Sequence, residues 1–115
     1  MAGLLVAFIA GAPIPLLSNL RDTPGNSEVK EGIHTIQQGV EAWAADHGGA
    51  YPSSLKVSRR GLAEYVDTWP KNPYTLLPMT HGTDRGDFYY TLTEDLSSFS
   101  LTGYGDDDKA IIEVP

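Results

Sequence analysis

The residues of this sequence best suited to chemistry are three consecutive aspartates, Asp106 to Asp108, which directly follow Gly103-Tyr104-Gly105. Calcium binds about six to eight oxygen ligands, and acidic turns are a usual source of them. The run therefore indicates a possible calcium site, although a solvated acidic turn is the common alternative. The glycine and glutamate spacing of an EF-hand loop is missing. Asp84 and Asp87, which flank Arg85-Gly86, form a second and weaker candidate.

No set of residues in the sequence indicates catalysis as the aspartate run indicates a metal site. His34, His47 and His81 are scattered without ligand spacing, and the chain has no cysteine. Glycine-rich phosphate loops, nucleophile elbows and HExxH motifs are missing as well. We therefore predict no catalytic residues and no enzymatic activity. The net charge of −7 also argues against nucleic acid as a partner, because an acidic surface repels phosphates.

One long amphipathic helix is the clearest element of the sequence. Its apolar positions recur at spacings of 4, 3, 4 and 3 and so share one face: Val29, Ile33, Ile36, Val40 and Trp43. We predict Asn26 or Ser27 as its N-cap and Gly48-Gly49 as its left-handed end. Gly32 and Gly39 weaken a helix, so we expect close packing along their side.

Three alternating segments in the last third predict antiparallel strands with one apolar face. The predicted inward residues are Phe88, Tyr90 and Leu92, then Phe99 and Leu101, then Ala110, Ile112 and Val114. Ser58 is predicted to cap a short helix in the middle of the chain. Because a three-stranded sheet needs a cover, the fold class is α+β: a long N-terminal amphipathic helix on a small antiparallel sheet, with an irregular middle region.

The stretch Trp69-Pro70-Lys71-Asn72-Pro73-Tyr74 has neither helical nor strand periodicity. Both prolines hold the residues before them in extended conformations. We interpret the stretch as a packing latch in which Trp69 and Tyr74 cover the sheet edge, in a chain without disulfides. The alternative is an aromatic platform for a ligand.

The N-terminal segment differs from the rest, because residues 2 to 17 carry no charge. The run is shorter than the roughly 20 residues of a membrane-spanning helix and is interrupted by Pro13 and Pro15. We predict residues 1–24 to be an apolar arm of the membrane or filament-core type and residues 25–115 to be a globular head. The alternative is a buried core segment. The predicted packing residues of the arm are Leu4, Leu5, Val6, Phe8, Ile9, Ile14, Pro15, Leu16 and Leu17.

The order of these features resembles that of the type IV pilins, and most closely the major pseudopilins of type II secretion. The features are the proline-containing arm, the amphipathic helix, Gly49-Ala50-Tyr51-Pro52, the Trp69–Tyr74 motif and the three terminal strands. The resemblance covers roughly residues 10 to 114. Residues 1 to 9 lack the family's aromatic-Thr-Leu-Ile-Glu run and basic leader. Relative to the family, this sequence therefore starts partway along the apolar helix, or else it is a divergent member.

The resemblance implies a structural subunit that polymerises through its arm with copies of itself and with other pilin-like subunits. It also implies contact with the assembly machinery, anchoring in the inner membrane before assembly, and a place in an extracytoplasmic filament. Pseudopilins commonly hold calcium between their last strands, which makes Asp106 and Asp108 candidate ligands. A backbone carbonyl near Leu101 or Thr102, and Ser97 or Ser98, are the further candidates. The alternative function is a minor or tip pilin, or an exported module that binds cargo or a surface ligand.

Overall fold

The computed structural model describes residues 23–115, and in this part of the chain one helix, α1 (Pro24–Ala45), begins directly after Thr23. Thr23 is the N-cap, since its hydroxyl accepts a hydrogen bond from the Asn26 amide at 3.2 Å. Pro24 at the first helical position needs no amide partner. The predicted cap at Asn26 or Ser27 is therefore wrong, because both residues already lie inside the first turn.

The apolar stripe of α1 faces the interior. Four residues of the stripe have no exposed surface: Val29, Ile33, Ile36 and Val40. The fifth, Trp43, is partly buried. Gly32 and Gly39 allow close approach, since a Cβ at Gly39 would lie 2.5 Å from Cγ2 of Val66. After the helix, Gly48 and Gly49 take positive φ angles, and the Gly49 amide donates to the Ala44 carbonyl.

The sheet that α1 covers has three antiparallel strands in the order β1-β2-β3: β1 (Phe88–Leu92), β2 (Phe99–Tyr104) and β3 (Ala110–Val114). This arrangement confirms the predicted packing of a helix on a three-stranded antiparallel sheet. Phe88, Tyr90, Phe99 and Leu101 are buried as their alternation predicts.

The third strand differs from its prediction. A register shift opposite Gly103 and Tyr104 pairs Gly103 with Ile112 but Tyr104 with Ala110, so Ile111 is the extra residue of a bulge. As a result Ile111 is buried and Ala110 is exposed, whereas simple alternation placed Ala110 on the inner face.

The middle segment, residues 46–87, is irregular apart from a 3-10 turn at Ser54–Lys56. The short helix predicted after Ser58 is a series of turns instead, although the Ser58 hydroxyl does accept from the Gly61 amide at 2.9 Å. Apolar side chains of this segment complete the core between helix and sheet: Val57, Leu62, Val66, Trp69 and Met79.

Within residues 23–115, no helix is both long and apolar enough to cross a membrane. The packing residues predicted for the arm, Leu4 to Leu17, lie outside the described residues.

Candidate functional site

The three aspartates form an exposed turn between β2 and β3, here called the aspartate turn (Asp106–Asp108). The Asp106 amide donates to Oδ1 of Asn26 at 3.1 Å. Asp108 takes a positive φ of 63°, and its Oδ1 accepts from the Arg85 amide at 2.8 Å. The turn is thus held by α1 on one side and by the loop around Arg85 on the other.

The four predicted calcium ligands do not come together at one point. Ser98 precedes β2 and Asp106 follows it, so the strand separates them by about 20 Å at roughly 3.3 Å per residue. Leu101, predicted to contribute its backbone carbonyl, lies in the middle of the strand, opposite Tyr90 of β1 and Val114 of β3. Among residues 23–115, no group of three or more histidines and carboxylates is placed to hold a metal ion.

The Trp69–Tyr74 stretch contacts both layers of the fold. Trp69 is buried edge-on against Phe88 of β1, and its Nε1 donates to the Met79 carbonyl at 2.9 Å. Pro70 lies beside Gly32 of α1, where an added Cβ would come within 3.0 Å of it. Pro73 is only partly buried. The stretch therefore contacts the sheet through Trp69 and the helix through Pro70 and Tyr74, whose hydroxyl donates to Oδ1 of Asn26.

Asn72 is the residue that fixes this stretch, and it is 2% exposed. Its Nδ2 donates to the Arg85 carbonyl at 2.9 Å and to Oδ1 of Asp87 at 3.2 Å, while its Oδ1 accepts from the Tyr74 amide at 2.8 Å. The sequence pattern assigns no role to Asn72 within the Trp69–Tyr74 stretch. Its position directly before a proline, between two aromatics, was the only signal for one.

Asn26 plays a matching role in the first turn of α1 and has no exposed surface. Its Oδ1 accepts from the Tyr74 hydroxyl at 2.9 Å as well as from the Asp106 amide. One buried amide therefore joins the helix, the Trp69–Tyr74 stretch and the aspartate turn. Gly105 lets this contact form, because a Cβ there would lie 2.8 Å from the same oxygen.

Two tyrosines, the partly buried Tyr74 and the buried Tyr90, have raised pKa values. Burial, followed by the nearby Asp106 carboxylate, raises the pKa of Tyr74. Burial also raises the pKa of Tyr90 far above its ordinary value, and the Tyr90 hydroxyl donates to the Pro52 carbonyl at 2.7 Å. Both groups therefore act as neutral hydrogen-bond donors near neutral pH, and neither has the lowered pKa of a general base.

The three histidines occupy separate places and build no common site. Nε2 of His81 lies 3.2 Å from the Tyr90 carbonyl oxygen, at the outer edge of β1. His47 stacks on Trp43 with ring centroids 3.5 Å apart, and Nδ1 of His47 donates to the Trp43 carbonyl. His34 is exposed on α1, with Gln37 as its partner.

An open groove of about 590 Å³ lies at the outer side of β1 and is here called the leucine groove. Val57, Met79 and Phe88 are its buried lining residues. Leu55 and Leu77 line it too, yet they are 91% and 65% exposed. Sequence reasoning missed this feature because it predicted the residues around Ser58 to form a helix.

Comparison with known proteins adds no relative, since no family model, curated protein or solved structure matches this chain.

Proposed function

We propose that this protein is a structural subunit of a filament of the type IV pilus or type II secretion pseudopilus kind. One observation carries the proposal: α1 packs its apolar stripe onto a three-stranded antiparallel sheet and begins at Pro24, shortly after the uncharged segment of residues 2–17. A head with its own core would thus carry an apolar arm at the N-terminal end of its only described helix.

The head itself uses the available apolar face of α1, so the arm would need a different partner. Arms of neighbouring copies supply one, at about 25 cal/mol per Å² of apolar surface removed from water. In this proposal the arm lies in the inner membrane before assembly and in the filament core afterwards. Other pilin-like subunits and the assembly machinery are the further partners.

The experiment that tests this function places charge in the arm of the full chain. Leu5→Glu and Leu16→Glu together should reduce high-mass assemblies at least about tenfold after detergent removal, because a buried unpaired carboxylate costs several kcal/mol. Gln38→Glu combined with Ala42→Glu, on the exposed face of α1, is the matched control and should leave assembly unchanged. Analytical ultracentrifugation measures both.

A wild-type chain that stays monomeric when the detergent is removed would contradict the proposal. So would assemblies that are insensitive to both arm glutamates.

Calcium binding at Asp106 and Asp108 stays a prediction attached to this function. A thermal melt with calcium and with a chelator tests it directly. A higher midpoint with calcium that disappears in Asp106→Asn/Asp108→Asn supports a site in the aspartate turn. Equal midpoints with calcium and with chelator remove the prediction.

The second candidate function, a minor tip subunit or exported binding module, is favoured by the leucine groove. An exposed apolar groove is a common feature of surfaces that bind other proteins. Saturable binding of a cargo protein or surface ligand by a chain that does not self-associate would favour this alternative.

A further inference from the structure

The leucine groove exposes apolar side chains that are not part of the core. Leu55 and Leu77 project beside a buried floor of Val57, Met79 and Phe88. Leu76, next to Leu77, is 71% exposed and takes a positive φ of 65°, a conformation that costs a leucine free energy. Exposed apolar side chains around a concave surface are typical of a protein-binding site.

The rim of the groove is basic although the chain is acidic. Three of the eight lysines and arginines of the sequence lie between Lys56 and Arg60, with no carboxylate among them. Arg59 and Arg60 line the groove and are exposed. Neither guanidinium has a hydrogen-bond or ion-pair partner among the described residues. The occupant that fits is therefore a protruding apolar side chain flanked by carboxylates.

The chain presents such a feature in the loop between β1 and β2, here called the leucine turn (Thr93–Ser98). Glu94 and Asp95 precede Leu96, which is 41% exposed and has a φ of 64°. Oδ1 of Asp95 accepts from the hydroxyl and the amide of Ser97, at 2.7 and 3.1 Å.

The leucine turn is also tied to the rest of the head, because the Leu96 carbonyl accepts from the Tyr51 amide. Leu96 is thus held outward by a preorganised turn, which lowers the entropy lost on binding.

We propose that the leucine turn of one copy binds in the leucine groove of a second copy. Leu96 would occupy the apolar floor while Glu94 meets Arg59 and Arg60. The groove includes Phe88 at the start of β1 and the turn follows Leu92 at its end, so one copy has both surfaces available at once. A contact between two different surfaces is heterologous and continues from copy to copy. The inference rests on the proposed filament for the setting in which copies meet.

Cysteine cross-linking tests the contact in the full chain, which has no native cysteine. Ser54→Cys marks the groove and Ser98→Cys marks the turn, and both substitutions keep the leucines and the charges. A short bismaleimide added to a mixture of the two variants in detergent should give a covalent heterodimer. Ala45→Cys, exposed at the end of α1, replaces Ser98→Cys in the control mixture and should give at least about tenfold less product.

Charge reversal makes the test specific to the proposed partners. Arg59→Glu/Arg60→Glu in the groove variant should lower the heterodimer yield about tenfold, since like charges then face each other. Glu94→Arg in the turn variant should restore part of that yield. Lys109→Glu combined with Gln38→Glu and Ala42→Glu makes the same change in net charge at exposed positions that do not line the groove, and it should have no effect.

Two results would overturn the contact: equal yields with Ser98→Cys and Ala45→Cys, or homodimers of the groove variant alone as the main product. The outcome is separable from that of the arm experiment. Heterodimers in detergent, without assembly when the detergent is removed, would support this contact and contradict the filament. Assembly on detergent removal without heterodimers would support the filament and contradict this contact.

Discussion

The middle segment has two contrasting sides. Toward the helix and the aspartate turn it is closed, since Asn72 is 2% exposed and makes bonds to Arg85, Asp87 and Tyr74. At the outer side of β1 it is open, and Leu55 is 91% exposed. Polar groups are thus buried and apolar groups exposed within one irregular segment. The contrast indicates that buried amides hold this cysteine-free segment in place, whereas its leucines add little to the core.

The closed side should be most sensitive at Asn72. Asn72→Ala would leave the Arg85 carbonyl and the Tyr74 amide without these partners, and we expect a loss of about 3 kcal/mol in the free energy of unfolding. Urea denaturation measures the change. Asn72→Asp is the informative second variant, because it keeps the acceptor for Tyr74 but places a carboxylate beside Asp87. A loss below about 0.5 kcal/mol in both variants would mean that the closed side does not depend on this amide.

Close packing on the closed side predicts an inverted effect at Gly39. Gly→Ala in an exposed helix stabilises by about 1 kcal/mol, but here the new Cβ would meet Cγ2 of Val66 at 2.5 Å. We expect Gly39→Ala to destabilise the head by about 2 kcal/mol in the same urea assay. Gln38→Ala, one residue away and exposed, should change stability little. A more stable Gly39→Ala variant would show that the helix and the middle segment are loosely packed.

Alkaline pH should loosen the contact between Pro52 and β1. Burial raises the pKa of Tyr90 above its value in the unfolded chain, near 10, so the folded state favours the neutral phenol. This stabilisation is complete below about pH 10 and is lost as pH rises toward the folded-state pKa, at about 1.4 kcal/mol per pH unit.

Unfolding curves from pH 9 to 11 for wild type, Tyr90→Phe and Tyr89→Phe measure this contribution. The stability of Tyr90→Phe should fall less steeply with pH than that of wild type, whereas Tyr89→Phe, at an exposed position, should follow wild type. Identical slopes for all three proteins would contradict the assignment to Tyr90.

The open side should be the least sensitive. Leu55→Ser should change the free energy of unfolding by less than about 0.5 kcal/mol, since its side chain is already solvated. The comparison becomes sharp if Leu62→Ser, at a position with no exposed surface, costs several kcal/mol in the same assay. A large loss at Leu55 would mean that the groove belongs to the core.

Periodicity predicted the parts of the fold that depend on one face being apolar. The stripe from Val29 to Val40 and the alternation around Tyr90 sufficed for the helix and for the first two strands. The inward-facing residues of the third strand could not be predicted from its own pattern. They depend on a bulge that forms where β3 pairs with Gly103 and Tyr104.

The helix cap was predicted wrongly because local and distant partners compete for the same polar side chain. Asn26 is a good helix cap by composition, but its Oδ1 accepts from Tyr74 and Asp106, so Thr23 caps the helix. The calcium site stays a prediction, with Ser98 and Asp106 at opposite ends of β2. The role of Asn72 depends on loops that only tertiary structure brings together.

The bonds of Asn26 span 48 and 80 positions along the chain, to Tyr74 and to Asp106. During synthesis on the ribosome, the beginning of the helix therefore emerges long before the groups that complete it. The first turn can acquire its full set of partners only after the final hairpin has been translated. Such long-range closure slows folding, so this head is expected to reach its finished state late, as one piece.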